Sequence, residues 1–299
     1  MVEPVLKWAG GKRQLLDELY ARFPADYDRY HEPFLGGGAL FFDLEPSGGT
    51  VNDANPRLVN FYRQVRDRPE ELVDRCRSFA DPESDPDPDR PHAGEDSYYY
   101  QQRALFNRRP RGEAFDELEE AALLLYLNRT CFNGLYRENA DGEFNVPVGR
   151  YANPDWVRAE QVRAAGAVLA GTDLRCGDFE YVADAAAAGD LVYFDPPYEP
   201  VGQTADFTDY DAEGFGRADQ ERLLAVAREL DEAGVHVVVS NSGVMHEFYA
   251  DAGFHVGTEG ATRAINSDAD NRGEVDEIIA TNVRPDERRS GRQTTLDGG

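Results

Sequence analysis

The chain has 299 residues, long enough for one large α/β domain carrying a second module, and its 41% hydrophobic and 11% aromatic content marks it as globular. It holds 57 Asp and Glu against 31 Lys and Arg, a net charge of −26, which by itself argues against the basic surface expected of a polyanion binder. No apolar run approaches the roughly 18 residues of a membrane span, and the start, Met1 to Lys7, lacks the charged and apolar regions of an export signal, so a cytoplasmic protein is expected.

Only Lys7 and Lys12 are lysines; the other 29 basic residues are arginines. An acid-rich, lysine-poor composition suits a cytoplasm at molar salt, where the Debye length is about 3 Å and carboxylate repulsion is screened. An acidic protein from a GC-rich genome would look the same. In high salt, net charge no longer decides whether a polyanion is bound. Cys76, Cys131 and Cys176 lie 55 and 45 residues apart, which is neither a disulfide framework nor a zinc pattern.

In chain order, the first feature is Lys7-Trp8-Ala9-Gly10-Gly11-Lys12, a glycine turn between a tryptophan and both lysines, suited to a carboxylate-bearing ligand or to an ordinary surface turn. It lacks the spacing of a P-loop. Arg29 to Phe34 then predicts a short strand, Gly36-Gly37-Gly38 a turn, and Ala39 to Phe42 a helix start. Thr50 to Asp53 predicts a second strand and Pro56 to about Arg66 a helix. Glycines at the end of a strand let a ligand approach the backbone, and a helix N-terminus favours anionic groups. Asp53, 17 residues after Gly36, can accept from ribose hydroxyls. Together they favour a nucleoside-containing cofactor over a plain tight turn.

The stretch from Asp81 to Asp96 holds seven acids and four prolines in sixteen residues and is expected to be a solvated loop. Residues 98–150, with a helix predicted from about Phe115 to Leu127, lack strand alternation and are taken as an inserted module. Within it, Tyr126 to Arg137 and Gly142 to Tyr151 combine Asn, Arg and aromatic residues, types that read base edges and wedge into base stacks. A helix end followed by a hairpin explains the same composition equally well.

Asp190 to Phe194 predicts a buried strand followed by Asp195-Pro196-Pro197-Tyr198. Strand ends of an open α/β sheet face the ligand crevice, and two prolines present carbonyls without N–H groups. The result is an acceptor cluster beside an aromatic ring, matched to an exocyclic amine on a flat heterocycle. Residues 218–233 predict a helix with Leu223, Leu224, Ala227 and Leu230 on one face and Gly234 as its cap. Val235 to Val239 predicts another buried strand, Phe254 to Glu259 with Val275 to Val283 an antiparallel edge, and Pro285 to Gly299 a polar tail. The five histidines form no metal-ligand pattern and G-x-S-x-G is absent.

These elements, in this order, resemble the Dam-type (D12 class, alpha group) DNA adenine-N6 methyltransferases. The resemblance rests on KWAGGK, EPFLGGGAL, VNDAN, YLNRTCFNGLYR with GEFNVPVGRY, DPPY, SNS (240–242) and RAINS with NRGEVDEIIATN, and it covers nearly the whole chain. It implies a Rossmann-like sheet that binds S-adenosylmethionine, with an inserted, mostly helical target-recognition domain. Residues 1–64 and 152–284 would form the catalytic domain, 65–151 the recognition domain and 285–299 a disordered tail. Asp195, Pro196 and Tyr198 fall at catalytic positions. Trp8, Lys12, Phe34, Gly36, Gly38, Asp53, Asp178, Phe179 and again Asp195 fall at cofactor positions. Lys7, Arg129, Phe132, Asn133, Leu135, Arg137 and Tyr151 fall at DNA-binding positions. Phe132 stands where the family often has Tyr, so a hydroxyl contact is lost while the wedge is kept.

The resemblance further implies double-stranded DNA as substrate, most simply at GATC sites, no metal, and a restriction endonuclease as a conceivable companion; with the composition, it points to a halophilic archaeal source. Gln293 to Asp297 is similar to the start of a sliding-clamp-binding tail without its aromatic anchor. The residues alone leave other acceptors open: a different DNA site, cytosine N4, RNA, a protein amide, or a DNA-binding relative without activity. A nicotinamide oxidoreductase explains only the glycine turn and Asp53.

Overall fold

The computed structural model describes residues 2–8, 12–82, 97–197, 215–262 and 274–289. Gly10, Gly11, Tyr198, most of the acidic stretch (83–96), residues 263–273 and the end of the chain from 290 lie outside the described residues. The chain forms two compact units, one of residues 1–11, 36–45 and 55–176, the other of 12–35, 46–54 and 177–299. These differ from the functional boundaries expected at 64/65 and 151/152.

The second unit is built on a sheet. Its strands are β1 (Tyr30–Glu32), β2 (Gly49–Asp53), β4 (Leu191–Phe194), β5 (His236–Ser242), β6 (His255–Thr262) and β7 (Glu274–Thr281), while β3 (Asp173–Cys176) belongs to the first unit. The order in the second unit is β2-β1-β4-β5-β7-β6. β1 pairs in parallel with β2 and β4, and β4 with β5, whereas β7 runs antiparallel to β5 and β6. This is the mainly parallel sheet with an antiparallel edge that the sequence predicts. All four residues of β4 are buried, as are Val237 to Val239, because a central parallel strand is covered on both faces. Leu223, Ala227 and Leu230 of the helix Arg217–Glu232 pack in the core with Val192, Phe194, Val237 and Val239. Gly234, at φ +80°, ends that helix, in the left-handed region where glycine is favoured.

The chain moves from β1 to β2 on one side and from β4 to β5 on the other, so the direction of winding reverses between β1 and β4. In such sheets ligands bind outside the carboxyl ends of the strands at this reversal. Glu32-Pro33-Phe34 and Asp195-Pro196-Pro197 are the two segments that leave the sheet there. Residues 285–289, expected as the start of the polar tail, are tied down. Pro285–Glu287 forms a 3-10 turn, the Arg288 guanidinium donates to the Val283 carbonyl (2.9 and 3.0 Å), and the Arg289 N–H donates to the Phe23 carbonyl (3.1 Å). These bonds hold residues 285–289 onto the second unit.

The first unit is a helical bundle. Asn55 caps the helix Pro56–Asp67, its side chain accepting from the Arg57 and Leu58 N–H groups, and Pro56 occupies the first turn, where a missing N–H costs nothing. The helix Glu117–Thr130 is buried on every side from Ala121 to Leu127, as its lack of an amphipathic stripe requires. The helix Ala159–Leu169 meets Pro56–Asp67 at Gly166, where a Cβ would stand 2.6 Å from the Val65 carbonyl oxygen. Among the described residues no helix is long and apolar enough to cross a membrane.

Candidate active site

In the second unit, the site grows from the carboxyl end of β4. Asp195 follows four buried residues and retains 22% exposure of its side chain, Pro196 is buried and Pro197 exposed. The Lys12 ammonium, at the head of the 3-10 turn Lys12–Leu15 and 4% exposed, lies 3.1 Å from Asp195 Oδ1 and 3.5 Å from Glu277 Oε2. Glu277, 7% exposed, comes from β7 opposite Ser242 of β5. Burial pushes the Asp195 carboxyl up to about 6; Lys12 pulls against this and the Glu277 charge adds to it. The sequence reading put Lys12 among the cofactor residues. Here it also fixes Asp195, and Glu277 was not anticipated at all.

Beside this cluster, the Asn52 amide donates to the Pro33 and Gly177 carbonyls (3.0 and 2.9 Å), tying the segment after β1 to Gly177-Asp178-Phe179. Asp53 ends β2, and its carbonyl accepts from the Gly177 N–H at 3.2 Å. Phe34 stacks on Phe179 with ring centroids 5.3 Å apart at 29°, and Phe215 meets Phe34 edge-on at 5.5 Å. Asp178 accepts from the Glu180 N–H (2.9 Å) and from Arg222 (2.8 Å). Burial raises its carboxyl, but these two donors outweigh that and hold it below the ordinary carboxylate range. The unit thus offers an aromatic pair, Asp53 at the end of β2, and an Asp178 carboxylate held by its two donors. Arg222 was missed because its role depends on a helix residue meeting a loop more than forty positions earlier.

The first unit carries a second cluster. The Lys7 N–H donates to Asn128 Oδ1 (2.8 Å), and Asn128 Nδ2 donates to the Lys7 and Gly134 carbonyls (2.7 and 3.2 Å). The buried amide thereby fastens the Lys7-Trp8 segment to the loop expected to read DNA. Gly134, at φ +66°, has no room for a Cβ against the Lys7 side chain. The Lys7 ammonium donates to the Tyr151 hydroxyl (3.3 Å) and lies 4.3 Å from the centre of its ring. Trp8 stacks on Tyr136 at 5.1 Å and 26°.

A Cβ on Gly36 or Gly37 would stand 3.0 or 2.7 Å from Trp8 atoms. Those glycines make room for the tryptophan, a contact the sequence reading did not foresee. Gly38, at φ +67°, precedes the short helix Ala39–Leu44. Phe132 is exposed (46%), as are Asn133 and Arg137, while Leu135 is half-buried. Arg137 Nε donates to Asn145 Oδ1 at 2.7 Å, which leaves the outer fork facing solvent. Arg129 differs from its expected neighbours. It is half-buried, its Nε donates to the Asp155 carbonyl (3.1 Å), and burial, with Arg158 nearby, lowers its pKa.

A mainly parallel sheet whose central strand ends in Asp-Pro-Pro, with a buried lysine on the aspartate, defines a Rossmann-like methyltransferase. The sequence pattern of the D12 class N6 adenine-specific DNA methyltransferases matches residues 8–265. A type II methyltransferase of Lactococcus lactis subsp. cremoris is 41% identical over 94% of this chain and 95% of its own. A type II methyltransferase of Methanocaldococcus jannaschii is 36% identical over 91% and 95%. The DNA adenine methylase of Escherichia coli is 37% identical over 92% and 93%. The chain belongs to the D12 class N6 adenine-specific DNA methyltransferase family and is an enzyme that methylates adenine in DNA.

Proposed function

We propose that the enzyme takes its methyl group from S-adenosylmethionine and places it on adenine N6 within GATC sites of duplex DNA. The donor reading rests on the chemistry of the residues. Phe34 and Phe179 form a slab for a flat base, Asp53 and Asp178 are acceptors for ribose hydroxyls and an exocyclic amine, and two carboxylates face one ammonium where a cation would be welcome. To these we assign Trp8, Lys12, Gly36 and Gly38 as further donor contacts.

The observation that carries the mechanism is Asp195, half-buried at the end of β4 with Lys12 on one of its oxygens. A stacked adenine cannot reach such a position, so the base must leave the duplex. Lys12 takes Oδ1; we assign Oδ2 and the Pro196 carbonyl to the two N6 hydrogens, and Tyr198 to the face of the base. Two acceptors aligned on the amine draw its lone pair out of ring conjugation and turn it toward the donor. When bound, S-adenosylmethionine supplies an electrophilic methyl group on a sulfonium. With a pKa of about 6, the Asp195 carboxylate is a better acceptor for the proton that N6 sheds than an ordinary aspartate. Positioning and fixed charges supply most of the acceleration.

Reading of the site is assigned to Lys7, Phe132, Asn133, Leu135, Arg137 and Tyr151, with Arg129 supporting them. An exposed Arg fork can bind guanine bidentately, and an exposed Phe can wedge into the stack. Single-molecule sequencing of DNA from an expressing host tests both parts. N6-methyladenine confined to GATC is expected; the same base in another context would overturn the target, and a modified cytosine would overturn the acceptor.

A further inference from the structure

We infer that Arg222 is a positioning residue for the donor's base: by fixing the Asp178 carboxylate beside the Phe34–Phe179 pair, it makes the pocket prefer a purine that carries an exocyclic amine. The inference rests on the donor reading above and adds to it the residue that aims Asp178. Arg222 lies in the helix Arg217–Glu232 and gives each arm of its guanidinium fork to a different carboxylate. Nε donates to Glu180 Oε1 (2.9 Å), one terminal nitrogen to Asp219 Oδ1 (3.0 Å) and the other to Asp178 Oδ2 (2.8 Å). The same guanidinium stands 5.1 Å from the centre of the Phe179 ring.

These contacts converge on one loop and one helix start. Asp219 Oδ2 accepts from the Gly216 N–H (3.1 Å), which fixes the residue after Phe215, and the Phe215 ring meets Phe34 at 5.5 Å and Phe179 at 5.8 Å. One side chain therefore ties the acceptor, Phe179 and Phe215 to the same helix. An isolated ion pair at this exposure, 40% for Arg222 and 53% for Asp178, would contribute little. Three carboxylates on one fork instead form a network with a fixed plane, which the single charged point of a lysine does not impose. Asp178 Oδ1 accepts from the Glu180 N–H and Oδ2 from Arg222, so each oxygen keeps a second lone pair for a ligand among the described residues. An ionised carboxylate only accepts, so it answers the N–H of an amine and offers nothing to a purine without one. Arg222 and the Glu180 N–H together keep Asp178 in that form.

Calorimetric binding of two ligands tests it: S-adenosylhomocysteine and its 6-deamino analogue, whose purine carries hydrogen in place of the amine. The wild type should prefer the first about twentyfold, the scale of a hydrogen bond to a charged group. In Arg222→Gln that preference should shrink about fivefold, because the carboxylate loses both a donor and its fixed position. Arg222→Lys keeps the charge without the fork and should fall between the two, which also supplies the reading if the glutamine variant does not fold. In Asp178→Ala the preference should disappear, and adding Arg222→Gln should then change the ratio by less than about twofold. Equal weakening of both ligands by Arg222→Gln would overturn the inference, since a purely structural role moves the two together. So would a further drop in the ratio when Asp178 is already Ala, which would place the action of Arg222 elsewhere. Wild-type protein that binds neither ligand would instead overturn the donor reading.

Discussion

The two lysines of this arginine-rich chain mark two regions built on opposite principles. Lys12, in the second unit, is 4% exposed between two carboxylates. Lys7, in the first, lies over the ring of Tyr151 and against Gly134, in the loop that carries exposed Phe132, Asn133 and Arg137. The first arrangement spends burial to fix charges, and its properties should follow pH and local charge. The second keeps its donors in solvent, and its properties should follow DNA sequence and salt. A compact ammonium with several donor directions serves both places, where a planar guanidinium fork would impose one plane.

The sharpest way to break that division is Asp195→Ala. Losing a pre-aligned acceptor is expected to lower kcat by at least ~10²-fold, measured by labelled methyl transfer to duplex DNA, with discrimination between DNA sequences unchanged. Near-normal turnover would remove the buried region from the chemistry.

Protonation offers a milder version of the same experiment. With the carboxyl at about 6, kcat/KM should fall about tenfold per pH unit below that value, as the acceptor becomes a neutral acid. The same shift affects stability, with a definite sign. The folded carboxyl titrates at about 6 against an ordinary 3.8, so the folded protein holds this proton more tightly than the unfolded chain does. The stabilisation is complete below 3.8 and is lost as pH rises through about 6. Above that, the ionised group costs up to about 3 kcal/mol. Asp195→Asn should therefore melt a few degrees higher than wild type at pH 8 and no higher at pH 4, by calorimetry. An advantage at both would show that the asparagine acts through packing.

Much of this was legible in the sequence because it follows from burial. Leu191 to Phe194 is an unbroken apolar run, so both the strand and the place of Asp195 at its end could be read. β3 escaped notice because Asp173, Arg175 and Cys176 give a four-residue strand only Leu174 to bury. The helix Tyr98–Phe106 was hidden by its run of tyrosines, which gives no clear stripe. Glu277 was one acid among 57, and its meaning comes only from strand pairing that brings it to Lys12 across the length of the chain. That Trp8 lies against Gly36 and Gly37 could not be read from sequence, which offers no way to see a contact across nearly thirty residues.

On the exposed side, Arg137→Ala is expected to cost about 1–3 kcal/mol, concentrated on one guanine of the target. Methylation rates on duplexes altered at each position measure it. A loss spread evenly over all sequences would mark a phosphate contact, and a loss of turnover on the cognate site alone would blur the line between the two regions.

The smallest effect is the most specific. Arg137 and Asn145 are joined twice, Nε donating to Asn145 Oδ1 (2.7 Å) and the Asn145 N–H donating to the Arg137 carbonyl (3.1 Å). The backbone bond survives Asn145→Ala, so the turn should hold and only the guanidinium should lose its anchor. An untethered Arg must be ordered again on each encounter with a base, a penalty of about 1 kcal/mol or roughly fivefold. That penalty should fall on the same base as the Arg137→Ala loss. It should also vanish when Arg137 is already Ala, because Asn145 then has nothing left to orient. A double-mutant cycle over these two positions decides it. Additive losses would assign Asn145 a contact of its own with the duplex, while a coupling equal to the whole Asn145 effect makes it the residue that aims the reading fork.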